Sequence, residues 1–178
     1  MSTIQRTLTL RAPAETVWAI VADPKRAPAW MPDITDRDVS AGDPLGVGVQ
    51  WREQGLLRGR TYTTMYEVTA WEPPHRIAYR RLAAAKGDYH WVETITLQPG
   101  AGETTITLSL DYAMPGGIIG KLYEHFLFRK DFSSTLDNRL ERLQELCERA
   151  ILPAPASKTE AEAPRLRRVR RAGSRKDA

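Results

Sequence analysis

From Gly117 to Ile151 the chain runs without a proline, and within that stretch Ile118, Leu122, Phe132, Leu136, Leu140, Leu143 and Cys147 recur at helical spacing. A single amphipathic helix of that length measures about 50 Å, enough to lie across a whole curved sheet. The residues before it have the opposite character, a succession of alternating, β-branched and aromatic segments punctuated by turns. A sheet wrapped round one helix leaves a space between the two layers, and that space is where function is to be sought.

The strand signals come in a definite order. Thr3 to Arg11 alternates, with Ile4, Leu8 and Leu10 on one side. Pro13 suits a first helical turn and Glu15 suits the N-terminal dipole, so PAETVWAIVAD predicts a helix with Val17, Trp18, Ile20 and Val21 on its core face, stopped at Asp23-Pro24. PKRAPAWMPD is irregular or at most one helical turn. Strands are then predicted at Ile34–Val39, at Val47–Trp51 after the turn AGDPLG, and at Arg58–Trp71, which ends at EPP. His75–Arg81 and Asp88–Leu97 follow, and after the turn PGAGE comes Thr104–Tyr112. One strand, one helix, about six strands and a long helix make an α+β fold, with helices on one face of an antiparallel sheet of about seven strands.

The 178 residues fit one domain, residues 1–152, and a tail, residues 153–178. Apolar residues at 42% and charged residues at 27% suit a water-soluble core-forming chain. No run approaches the roughly 18 apolar residues that mark a bilayer span. Arg6, Arg11, Glu15 and Asp23 interrupt the first 25 residues, so no secretory segment is expected there and the cytoplasm is the expected location. Cys147 is the single cysteine; alone it can form neither an intramolecular disulfide nor a cysteine-built metal site, and on the apolar stripe it reads as a small core residue. The net charge of +4 is unevenly shared. Eight basic and three acidic residues put +5 on the tail, leaving eighteen basic and nineteen acidic residues, or −1, on the body. Almost without large apolar residues, the tail is expected to be disordered and solubilising. Its RLRRVRR run leaves open a weak contact with an anionic membrane or RNA, but Arg167, Arg168, Arg170 and Arg171 carry no interleaved aromatics and no specific nucleic-acid motif.

Several local motifs, in this order, resemble the START-like helix-grip superfamily (SRPBCC), in its polyketide cyclase/dehydrase branch. They are a first strand running into APAETVWAIVADP (residues 12–24), then WEPPHRIAY (71–79), a hairpin turning at Gly102-Glu103-Thr104, and a Tyr112-x-Met114-Pro115-Gly116-Gly117 lead into the terminal helix. The similarity spans Thr3 to Ile151 and does not include the basic tail. It implies a helix-grip fold: a curved sheet round the C-terminal helix, with a short helix after the first strand. It also implies a pocket for a lipid-like or polyketide-like molecule, in a superfamily that holds carriers as well as cyclases.

Strand parity predicts which side chains face that pocket. With Ile95 and Leu97 inward, Trp91 and Glu93 follow; Ile106, Leu108 and Leu110 bring Tyr112; Val68 brings Tyr66 and Tyr62; Ile77 brings Tyr79; Val49 brings Trp51. Any one of these rings could simply fill the core. Together with Leu122 and Phe132 on the helix, they predict a wall suited to a hydrophobic or aromatic ligand. At 100° per residue His125 and Arg129 fall near the centre of the helix stripe, with Glu93 as a counter-charge from the sheet. On the sharper reading, His125 is a general acid or base, Arg129 steadies an enolate or carboxylate, and Glu93 orients one of them. On the plainer reading, they sit at a solvated rim. His75 and His90 read as exposed. No HExxH, GxSxG or complete dinucleotide fingerprint occurs, and neither metal nor cofactor is expected. The sequence therefore leaves two functions open: a binding module for a small hydrophobic ligand, and an enzyme of the cyclase/dehydrase type.

Overall fold

The computed structural model of the protein describes residues 1–39, 44–57, 59–82, 90–113 and 128–151. In chain order these form β1 (Ser2–Leu10), α1 (Ala14–Val21), a 3-10 turn (Pro24–Arg26) running into the single turn α2 (Ala27–Trp30), β2 (Ile34–Val39), β3 (Gln50–Leu57), β4 (Arg60–Glu72), β5 (Arg76–Arg81), β6 (His90–Pro99), β7 (Thr104–Ala113) and α3 (Arg129–Ile151). The seven strands make one antiparallel sheet in the order β1-β7-β6-β5-β4-β3-β2. Strands β2 to β7 are a meander, and β1 pairs with β7 at the far edge. The α1–α2 link therefore carries the chain from one edge of the sheet to the other, and α3 packs against β1, α1 and α2. This is the α+β helix-grip arrangement that the sequence predicts.

Local chemistry sets the elements. Pro13, at φ −60°, precedes α1 and its carbonyl accepts from the amides of Thr16 and Val17, which starts the helix without a side-chain cap. Ala14, Val17, Ile20 and Val21 are the buried face of α1. Thr104 Oγ1 donates to the Ala12 carbonyl at 2.7 Å, fixing the start of β7 to the end of β1's extension. Gly59 turns the β3–β4 hairpin at φ +73°, a left-handed conformation that glycine adopts without cost. Val47 and Val49 belong to the approach to β3, not to the strand, and β3 instead continues through Leu57. The sequence pattern hides this continuation because the inward positions after Trp51 are Glu53 and Gly55, a buried acid and a glycine in place of apolar residues.

The concave face is buried as parity predicts. Trp51, Tyr66, Val68, Ile77, Tyr79, Ile95, Leu97, Ile106, Leu108, Leu110 and Tyr112 form one core with Leu136, Leu140, Leu143 and Cys147 of α3. The described helix of 23 residues is about 34 Å long. The earlier part of the predicted helix, with Ile118, Leu122 and His125, lies outside the described residues, as does the tail.

Candidate functional site: a cavity beside the terminal helix

Between the open end of the sheet and the first turns of α3 lies a cavity of about 710 Å³. Its wall combines Tyr62, Thr64 and Tyr66 of β4, Arg81 of β5, Trp91 and Glu93 of β6, and Tyr112 of β7. Phe128, Lys130, Asp131, Phe132, Ser134, Thr135 and Arg139 line it from the helix side, with Asp33, Leu56 and Leu57 at the β2–β3 side. Trp91 stands edge-on to Phe128 and Phe132, with centroids 6.0 and 5.0 Å apart, and Tyr112 lies 4.8 Å from Phe128. Such edge-to-face contacts fix the rings as a wall that need not collapse into the space.

Below these rings the cavity floor is a network of ion pairs and hydrogen bonds. Glu93 Oε2 accepts from Tyr79 Oη at 2.9 Å and from Arg139 Nη1 at 2.8 Å, and its Oε1 accepts from Trp91 Nε1 at 3.0 Å. The same guanidinium turns its other edge to Asp33, with Nε donating to Oδ1 at 2.8 Å and Nη2 donating to Oδ2. A second pair sits deeper. Arg37 donates through Nε and Nη2 to Glu53 Oε2, at 3.1 and 2.7 Å, while Tyr62 Oη donates to Glu53 Oε1 at 3.1 Å. The Arg37 guanidinium also lies over the rings of Trp51 and Tyr79, 4.8 and 5.3 Å from their centroids. Gly55 makes room for this arrangement: a Cβ there would come within 2.5 Å of the Asp33 carbonyl and 2.6 Å of the Tyr62 hydroxyl.

These surroundings fix the protonation of the phenols and guanidiniums. Burial, reinforced by nearby carboxylates, pushes Tyr62, Tyr66 and Tyr79 well above the ordinary tyrosine value, so all three are hydrogen-bond donors at neutral pH and none is a base. Burial opposes charge on Arg37 and Arg139, but Glu53 and Glu93 near the first, and Glu93 and Asp33 around the second, outweigh it and hold both protonated. Burial pushes the Glu53 carboxyl up, and Arg37 pulls it part of the way back. With two guanidiniums and three carboxylates, the floor has one acid more than it has cations.

Of the residues expected from the sequence, Tyr62, Tyr66, Trp91, Glu93, Tyr112 and Phe132 line this cavity together. Trp51 and Tyr79 do not. Both are buried beneath it, their rings edge to face 4.9 Å apart, and Tyr79 reaches the site through its bond to Glu93 and its edge-on contact with Tyr66. Arg129 is exposed and away from the lining. The cavity follows the row Phe128, Asp131, Phe132, Thr135 and Arg139, and Arg129 lies about 100° round the helix from Phe128 toward solvent. Leu122 and His125 lie outside the described residues. Sequence reasoning misses Asp33, Arg37, Glu53, Arg81 and Arg139. Parity marks Glu53, two residues from Trp51, and Arg81, two from Tyr79; Arg139 is flanked by the core residues Leu136, Leu140 and Leu143. Among the described residues no group of His, Cys, Asp and Glu is arranged to hold a metal ion, and no described helix is long and apolar enough to cross a membrane.

Residues 1–148 match the family model described as polyketide cyclase/dehydrase and lipid transport. The chain belongs to this family. The match takes in every strand of the sheet and every described cavity residue, so the polyketide cyclase/dehydrase domain and the helix-grip body are the same unit. Solved structures of the same fold include TTHA0849 from Thermus thermophilus, which is 20% identical with a TM-score of 0.69, over 85% of this chain and 100% of that one. A START superfamily protein from Mycobacterium smegmatis is 19% identical with a TM-score of 0.67, over 83% of this chain and 98% of its own. The Zhui aromatase/cyclase from Streptomyces sp. R1128 is 19% identical with a TM-score of 0.65, over 85% and 96%. At these identities the likeness is one of fold. Among proteins with curated descriptions, none matches the chain by sequence.

Proposed function

We propose that this polyketide cyclase/dehydrase-family domain holds a small hydrophobic or aromatic molecule, lipid-like or polyketide-like, in the cavity between its sheet and α3. The observation that carries the reading is the cavity itself. About 710 Å³ lined by Tyr66, Trp91, Tyr112, Phe128 and Phe132 falls within the roughly 300–1,000 Å³ of sites that enclose small organic ligands. The paired charges beneath it give a rigid polar floor, and the protonated hydroxyl groups of Tyr62 and Tyr66 stand beside the space.

The alternative is catalysis in the same space, with Glu93, His125 and Arg129 moving protons or steadying an enolate. The geometry favours binding over that alternative. Glu93 already accepts from three donors, which leaves its oxygens poorly placed to take a proton from a ligand. Arg129 points to solvent. The two readings separate in one experiment: native mass spectrometry identifies the molecule retained by the purified chain, and the His125→Ala and Glu93→Gln variants are then assayed with it. A carrier keeps its retained molecule in both variants. A cyclase converts it, and loses turnover on the order of 10²-fold or more when its acid or base is removed.

A further inference from the structure

Three arginines line the cavity or its floor from inside the fold, and they are not in the same condition. Arg37 is neutralised by Glu53, and Arg139 by Asp33 and Glu93. Arg81, the last residue of β5, follows Ile77 and Tyr79 on the concave side, lines the cavity and is half-buried. Its Nε donates to Thr64 Oγ1 at 2.9 Å, and among the described residues no carboxylate pairs with it. That one bond constrains the planar guanidinium while its two terminal nitrogens bond no described residue, and a planar fork is the geometry that matches a carboxylate or phosphate bidentately. Lys130, exposed on the first turn of α3, adds a second positive charge to the same wall.

We propose that Arg81, assisted by Lys130, receives the anionic oxygen group, carboxylate or phosphate, of an otherwise apolar ligand. The proposal rests on the ligand-binding reading above and deepens it to an amphipathic anion held in a fixed orientation. The remaining charges of the wall support this direction. Asp33 and Glu93 share the single Arg139 guanidinium, so the floor is net negative and disfavours an anion; the acid group is driven to Arg81, and the apolar part is left to Trp91, Tyr112, Phe128 and Phe132. A neutral ligand would enclose a half-buried guanidinium that no described carboxylate pairs with, whereas an anionic one satisfies it with charge-assisted bonds.

The test titrates the intact chain with palmitate, palmitic acid methyl ester and palmitoyl lysophosphatidate, following tryptophan fluorescence, for the parent and for Arg81→Gln and Arg81→Lys. The expected result is that at least one of the two anions binds about 10-fold or more tightly than the ester. Arg81→Gln should abolish that advantage without weakening the ester, and Arg81→Lys, which keeps the charge but not the fork, should retain part of it. Whether palmitate or the lysophosphatidate gains more identifies the acid group as carboxylate or phosphate. Equal binding of all three by the parent chain, or an Arg81→Gln variant that holds the anions as tightly as the parent, overturns the Arg81 assignment and leaves the ligand-binding reading standing. Failure of all three to bind the parent overturns both. Thermal unfolding of each variant shows whether a loss of binding comes from misfolding, and a variant that unfolds with the parent yet loses only the anions supports the assignment.

Discussion

Arg139 joins partners that the chain keeps far apart: Asp33, just before β2, and Glu93, in the middle of β6. The residue is buried, at 4% exposure, so its charge is tolerable only because the two carboxylates are in place. Arg139→Leu should therefore destabilise the domain by about 3–5 kcal/mol, read from the urea midpoint, while the triple variant with Asp33→Asn and Glu93→Gln should recover a substantial part of that loss. A triple variant no more stable than Arg139→Leu would show that packing, not charge, holds the floor together. A second residue-scale consequence concerns Cys147, 1% exposed on the core face of α3. Burial pushes its thiol from 9.0 up to about 11, so the fold favours the protonated form. The sign is that of any raised group: its contribution to stability is complete below the unfolded value and disappears as pH rises through about 11. Labelling with a thiol-specific disulfide reagent at pH 8 should be slow in the folded chain and fast in urea, and fast native labelling would place the thiol outside the core. Cys147 shows how much a single position can reveal: its place on the helical stripe is legible in the sequence as a core position. Arg139, next to that stripe, is not, because helical periodicity ranks positions by hydrophobicity and a paired buried cation counts against burial until its partners are known.

At the scale of elements, period-2 alternation works where inward positions are apolar or aromatic. It marks the inner faces of β4 to β7, and with them most of the aromatic cavity wall. It fails on β3, where Glu53 and Gly55 occupy the inward positions and the apolar signal lapses. Gly55 of β3 is the reason β4 can carry Tyr62 where it does. The two residues are register partners, and the phenol ring crosses the place a side chain would take on its way to Glu53. Gly55→Ala should thus displace Tyr62 and break its bond to Glu53, costing about 1–3 kcal/mol and reshaping one wall of the cavity. The paired measurement is Tyr62→Phe, which removes the bond but keeps the ring. If Gly55→Ala is no more costly than Tyr62→Phe, the strand has shifted to accommodate the methyl group and the close fit is not essential. The first turn of α3 is the other place where an element-level rule misleads. Apolar spacing gives the stripe's centre, which faces the core, whereas the cavity lies on one flank of that stripe, beside Phe128, Asp131, Phe132, Thr135 and Arg139. A residue's angle to the core is therefore not its angle to the ligand, and Arg129, about 100° round the helix from Phe128, falls outside the lining for that reason.

On the scale of the whole molecule the charge is divided. The body carries −1 and residues 153–178 carry +5, while the family match ends at residue 148 and no described cavity residue lies beyond Arg139. Ligand binding and tail electrostatics should then be separable by one cut. A chain truncated after Ile151 should unfold at the same temperature and bind the same ligand with unchanged affinity, because every described contact that shapes the cavity lies within the retained residues. Any association of the full chain with anionic vesicles or RNA should disappear in the truncated form. In the full chain it should weaken steeply as salt rises from about 50 to 200 mM, since neutralising phosphates with arginines releases counterions and the affinity scales with a power of the salt concentration. Two results would contradict this division. Salt-insensitive vesicle binding that survives truncation would mean that the body itself, through exposed Leu56 and Leu57 beside the cavity, meets the membrane. A fall in ligand affinity on truncation would mean that the tail's positive charge acts at the cavity, and in that case the loss should be larger for anionic ligands than for neutral ones and should shrink in high salt.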